Sequence, residues 1–149
     1  MKNLLLIIFC AFGAMNTYAQ KGDDLLGIWH TEDEKSRIEI IKKSDGKYYG
    51  SVIWLKEPYE EDGKTIKVDD ENPDPKKRAT PIVGLELLKE LTWDGEEWDD
   101  GEIYDPQSGN TYSSMATMPD VNTIKMRGYM VFSLLGRTSV WTRGPKDKL

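Results

Sequence analysis

The chain has 149 residues, with 20 basic and 26 acidic side chains and a net charge of −6. That is one domain's length with an acidic surface, which repels phosphate backbones and anionic head groups and argues against nucleic-acid binding or a peripheral membrane role. The single cysteine, Cys10, lies so early that the remaining chain offers no disulfide, thiol nucleophile or thiolate metal ligand.

Residues 1–19 read as a secretory signal peptide. Lys2 gives a positive start, residues 4–12 are almost unbroken apolar, and Thr17-Tyr18-Ala19 offers a small-residue cleavage site before Gln20. The apolar run is far short of the ~20 residues of a membrane span, and no later segment approaches that length. A single domain over residues 20–149, exported to the periplasm or secreted, is therefore expected. With Lys2 gone its net charge becomes −7. Lipidation at Cys10 is disfavoured, because Phe9 is bulky where a lipobox wants a small residue.

Beyond the leader, short strands alternate with turn residues, the signature of an all-β sandwich or barrel. Residues 25–29 form a first strand, with Gly27 marking a bend or a close approach. Residues 37–43 alternate, Ile38 and Ile40 on one face and Arg37 and Glu39 on the other. Asp45-Gly46 signals a hairpin, and residues 47–55 return as its partner. Pairing Lys43 with Tyr48 puts Ile38, Ile40, Ser51 and Ile53 on one face; a bulge at Gly46 would invert the second strand. Residues 56–80 are long, charged and proline-bearing, so they read as a polar loop. Leu85, Leu88 and Leu91 at spacing three predict a short helix over residues 82–91, with a strand as the alternative. Strands follow at 101–104 and 111–117, separated by the turn-rich residues 105–110. After a turn at 118–122, residues 123–132 read as the longest strand, and residues 137–143 close the domain.

Little in this chain reads as catalytic. His30 is the only histidine, so Cys–His pairs and multi-histidine metal sites are excluded, and no Gly-x-Ser-x-Gly elbow accompanies it. Most carboxylates fall in solvated runs such as Glu60-Glu61-Asp62; a two-carboxylate glycosidase is not excluded by counting alone. The acidic cluster at 69–74 could offer oxygen ligands to calcium, but it lacks EF-hand spacing, and a plain capped loop is the simpler reading. No cofactor is expected. The aromatic load, Trp29, Trp54, Trp93, Trp98 and Trp141 with seven tyrosines, fits either a packed core or an apolar pocket.

Several motifs then fall in one order: Gly27-Ile28-Trp29, Gly50-Ser-Val-Ile-Trp54, Asn72-Pro-Asp-Pro75, Ile103-Tyr-Asp-Pro106, Gly109-Asn-Thr-Tyr112, Arg127-Gly-Tyr129 and Trp141-Thr-Arg143. In these the chain resembles the bacterial exported family catalogued as domain of unknown function 2147, across nearly all of residues 25–143. The resemblance implies a small antiparallel lipocalin-like β-barrel of calycin type outside the cytoplasm, and no established activity. Gly27-Ile28-Trp29 with Arg143 is also similar to the Gly-x-Trp and late Arg of lipocalins and fatty-acid-binding proteins. That likeness implies a guanidinium stacked on Trp29 where the first and last strands meet.

Two functions are then expected to compete. One is a barrel holding a small apolar or amphipathic ligand among Ile40, Ser51, Ile53, Met126 and Met130, the methionines sharing a face with Ile124 away from Lys125 and Arg127. The other is a solid barrel recognising a protein or glycan of the envelope through its surface loops. An enzyme trails both, and oligomeric state is not legible. Interior volume separates the first two.

Overall fold

In the computed structural model the residues described are 20–130 and 135–144. The leader, its cleavage site and Cys10 lie outside them, as do residues 131–134. Eight antiparallel strands run up and down around a closed barrel: β1 (Gly27–His30), β2 (Ser36–Lys42), β3 (Tyr48–Leu55), β4 (Glu86–Trp93), β5 (Trp98–Asp105), β6 (Asn110–Asp120), β7 (Thr123–Tyr129) and β8 (Gly136–Arg143). Closure pairs β1 with β8, Trp29 opposite Arg143 and His30 opposite Thr142, so neither strand is left as an open edge.

The first hairpin corrects the expected facing. Gly46 takes φ +80°, the amide of Lys43 donates to the carbonyl of Lys47, and that of Gly46 donates to Lys43. This is a type I turn closed by a glycine bulge, a geometry that adds a residue to the return strand. Lys42, not Lys43, therefore faces Tyr48, Ile40 faces Gly50 and Ile38 faces Val52. Gly50 and Val52 turn inward with the two isoleucines, and Ser51 and Ile53 turn outward.

The predicted helix over 82–91 is replaced by β4. Its pairing with β3 shifts register twice, between Tyr48 and Gly50 and between Gly50 and Ser51. Glu90 also sits at φ +59°. These irregularities bury Leu87, Leu88 and Leu91 in one strand, so a leucine spacing that imitates a helical stripe arises from bulges. The structure also corrects the longest strand. β6 runs on to Asp120, with Pro119 inside a register shift between Thr117 and Asp120, and the described part of β7 ends at Tyr129. Leu25 belongs to a 3-10 turn, Gly22–Leu25, that precedes β1.

That turn closes one end of the barrel. Gly22 accepts from the Trp98 indole at 3.0 Å, Asp23 from the Tyr48 hydroxyl at 2.9 Å, and Leu25 from the Trp29 indole at 2.9 Å. Trp93 and Trp98 pack with ring centroids 4.5 Å apart. Leu25, Trp29, Tyr48, Leu88, Leu91, Trp98 and Ile124 are fully buried here, and this half of the interior is solid.

Candidate ligand-binding cavity

The other half is hollow. A cavity of about 1070 Å³ opens at the end carrying the β1–β2 and β5–β6 connections, between Thr31, Asp105 and Met130. The register of the last two strands sets its wall. Ile124 faces Trp141, Met126 faces Ser139 and Gly128 faces Arg137. Because side chains alternate along a strand, these six share the inward face, in that order from the packed core, where Ile124 lies, to the mouth. Met126 and Trp141 are buried, as are Ile38 and Leu87 across the cavity, and Ile103 is half-buried. Apolar surface at depth with polar groups at the rim is the usual make-up of a small-molecule pocket.

Of the five residues expected to line a ligand, Met126 and Met130 border this cavity. Met130 lies just past β7 and is 63% exposed at the mouth, close to Leu135 at 70%. Ile40 does face inward, but deeper, in the packed core beside Gly27 and Gly50, and it does not line the cavity. Ser51 and Ile53 lie outside, for the register reason above. The lining that sequence reasoning missed comes from three places. Leu87 was concealed by the helical reading of β4. Ile103 and Tyr104 sit on β5, of which the sequence shows only residues 101–104 as strand, too few to display the alternation. Ser139 and Trp141 were readable from the alternation Arg137, Ser139, Trp141.

The long loop is tied to the barrel beside the rim. Asp69 is fully buried; its carboxylate accepts from the Tyr104 hydroxyl at 2.7 Å and from Asn72 Nδ2 at 2.6 Å. The Asn72 side-chain oxygen accepts from the Asp74 amide, Asp74 caps the Pro75–Lys77 3-10 turn through the Lys76 amide, and Arg78 Nε donates to the Asn72 carbonyl at 2.8 Å. The Asn-Pro-Asp-Pro motif is thus a self-capped turn. It also packs on the β5–β6 turn, where Gly109 lies hard against the Glu71 carbonyl. Tyr104 borders the cavity and fastens the loop with its hydroxyl.

Desolvation, and then the hydrogen bond to the Asp69 carboxylate, push the Tyr104 phenol up to about 12. Tyr49 is raised as far, first by its bond to Asp45 and then by desolvation. A raised phenol means that the folded state holds the proton more firmly. The stabilisation is complete below the ordinary tyrosine value of about 10 and is lost as pH rises through about 12. Spectrophotometric titration of tyrosine absorbance is expected to show a late component that shrinks in Tyr104→Phe. A profile unchanged by the substitution would contradict the Tyr104–Asp69 contact.

At the solid end, Arg143 stacks on Trp29 with its guanidinium carbon 4.0 Å from the ring centroid. It donates to three carbonyls: Nε to Val121 at 2.7 Å, Nη1 to Leu26 at 3.1 Å and Nη2 to Asp24 at 2.8 Å. Gly27, at φ +121°, lies beneath it, and a Cβ there would stand 3.3 Å from Nη1.

This architecture has a solved counterpart. The structure of HP1028 from Helicobacter pylori, described as belonging to the lipocalin family, is similar with a TM-score of 0.70 and 25% identity, over 81% of this chain and 83% of that one. None of the curated proteins matches the chain in sequence. The barrel is lipocalin-like, a fold compatible with small-ligand binding in general. Residues 27–143, from the glycine beneath the stacked arginine to that arginine itself, match the bacterial family described as "Uncharacterized protein conserved in bacteria (DUF2147)", and the chain belongs to that family.

Proposed function

We propose that this is an exported binding protein, not an enzyme, which holds one small apolar or amphipathic molecule inside the barrel. The observation that carries the reading is the cavity of about 1070 Å³, at the upper end of the few hundred to about 1,000 Å³ of small-molecule sites. Its floor of Ile38, Leu87, Met126 and Trp141 has no charged group, so a ligand's apolar part would leave water there without desolvating an ion. A solid barrel recognising partners by its surface loops fits less well, since the acidic loop turns its carboxylates of Asp69 and Asp74 onto its own chain. Export rests on the leader, and the intact mass of the protein recovered from its host, starting at Gln20, is the check.

Binding is tested with a neutral apolar fluorophore such as N-phenyl-1-naphthylamine. Its emission is expected to rise saturably, with energy transfer from tryptophan because Trp141 borders the site. Met126→Trp should fill the space and weaken binding at least tenfold, with little change in the unfolding midpoint. If the region were close-packed, the added bulk would cost about 1–3 kcal/mol instead. Absence of saturable binding, together with such a loss of stability, would refute the binding role.

A further inference from the structure

We propose that the ligand carries an anionic head, and that Arg137 receives it at the mouth while the apolar tail points toward Trp141. The proposal rests on the binding reading above and adds the ligand's charge and orientation. Along β7 and β8 the inward pairs change character step by step: Ile124 in the packed core with Trp141 at the floor of the cavity, Met126 with Ser139, then Gly128 with Arg137. A purely apolar ligand gives no reason for a guanidinium at the last inward position. An amphiphile lying along the barrel axis does.

Gly128 is the second observation. It is not among the glycines of positive φ, so its backbone does not demand glycine, and a side chain there would press on its neighbours. A Cβ there would stand 3.2 Å from Ile103 Cγ2 and 3.6 Å from Tyr112 Cβ. Directly opposite Arg137, then, there is no cross-strand side chain to cover the guanidinium or pair with it. Arg137 is also the one cation among the described lining residues, and no ion pair among the described residues includes it.

Two of the three acids among the described lining residues are engaged elsewhere. Asp33 accepts from Thr31 Oγ1 and the Lys35 amide and pairs with Lys35 Nζ at 3.3 Å. Asp105 accepts from the Gln107 amide and Ser108 Oγ within its turn. Glu32 is exposed at the rim. The overall negative charge acts over distances that salt screens within about 8 Å, whereas a guanidinium touching a carboxylate or phosphate head acts through a charge-assisted pair.

The experiment compares dodecanoate, dodecyl phosphate, dodecanol and dodecyltrimethylammonium as competitors of the neutral fluorophore, on the full mature protein and on Arg137→Gln. In the parent, dodecanoate or dodecyl phosphate is expected to bind about three- to tenfold more tightly than dodecanol, and the stronger of the two names the head. Arg137→Gln should erase that margin and leave the affinity for dodecanol unchanged. Equal affinity of the anions and the alcohol, tighter binding of the ammonium, or an equal loss for all four in the variant would each overturn the anionic assignment while the cavity still binds. Failure of the fluorophore and all four competitors would overturn both.

Discussion

Replacing Arg143 with alanine is expected to lower stability by about 3 kcal/mol and the unfolding midpoint by roughly 10 °C. The guanidinium ties together three segments far apart in sequence: the N-terminal turn through Asp24 and Leu26, the β6–β7 turn through Val121, and the β1–β8 seam through Trp29. Truncation leaves carbonyls without a donor and uncovers the indole face. Arg143→Lys keeps the charge but cannot span three acceptors with one planar fork, so it should recover less than half of the loss. Gly27→Ala should shift stability in the same direction, because the new Cβ meets both an unfavourable φ and Nη1. For comparison, Lys42→Ala breaks an exposed pair with Asp23 at 2.9 Å and should cost under about 1 kcal/mol. Equal midpoints for Arg143→Ala and Lys42→Ala would show that the seam does not depend on this residue.

That pair could be read from the sequence because its members stand at the two ends of the domain, where closing a barrel must bring first and last strands together. Met126 was legible for a similarly simple reason, the alternation of Ile124, Met126 and Gly128 against Lys125 and Arg127. Elsewhere local geometry defeated pattern reading. One glycine bulge at Gly46 inverted β3 and carried Ser51 and Ile53 to the outside. Two register shifts in β4 made a strand imitate a helix and concealed Leu87. Ile40 was placed on the correct face but at the wrong depth. Alternation gives the face, and depth depends on where the 3-10 turn and the buried leucines fill the barrel. The acidic loop was legible as a capped turn, but the burial of Asp69 within it was not. A run of charges normally signals solvent, yet Asp69 is fully buried, because Tyr104 and Asn72, one of them on a distant strand, supply its donors.

From that burial follows the second large effect. Asp69→Ala should destabilise the protein by about 2–3 kcal/mol, since it leaves the Tyr104 hydroxyl and Asn72 Nδ2 without their acceptor inside the fold. Tyr104→Phe removes one donor and leaves the carboxylate bonded to Asn72, and should cost about 1 kcal/mol. The two variants should also differ in how the loop is held. Lys76, Lys77 and Arg78 are trypsin sites at the far side of the self-capped turn, and while Asp69 anchors the segment its opening requires breaking that network. In Asp69→Ala the segment should open without global unfolding, and trypsin should cut there many times faster than in the parent. In Tyr104→Phe the Asn72–Asp69 bond still holds the turn, so cleavage should rise only slightly. Parent-like trypsin resistance and midpoint in Asp69→Ala would mean that the loop is held by its backbone bridges, Tyr59 with Ile66 and Val68 with Pro81, and that the buried carboxylate does not fasten it to the barrel.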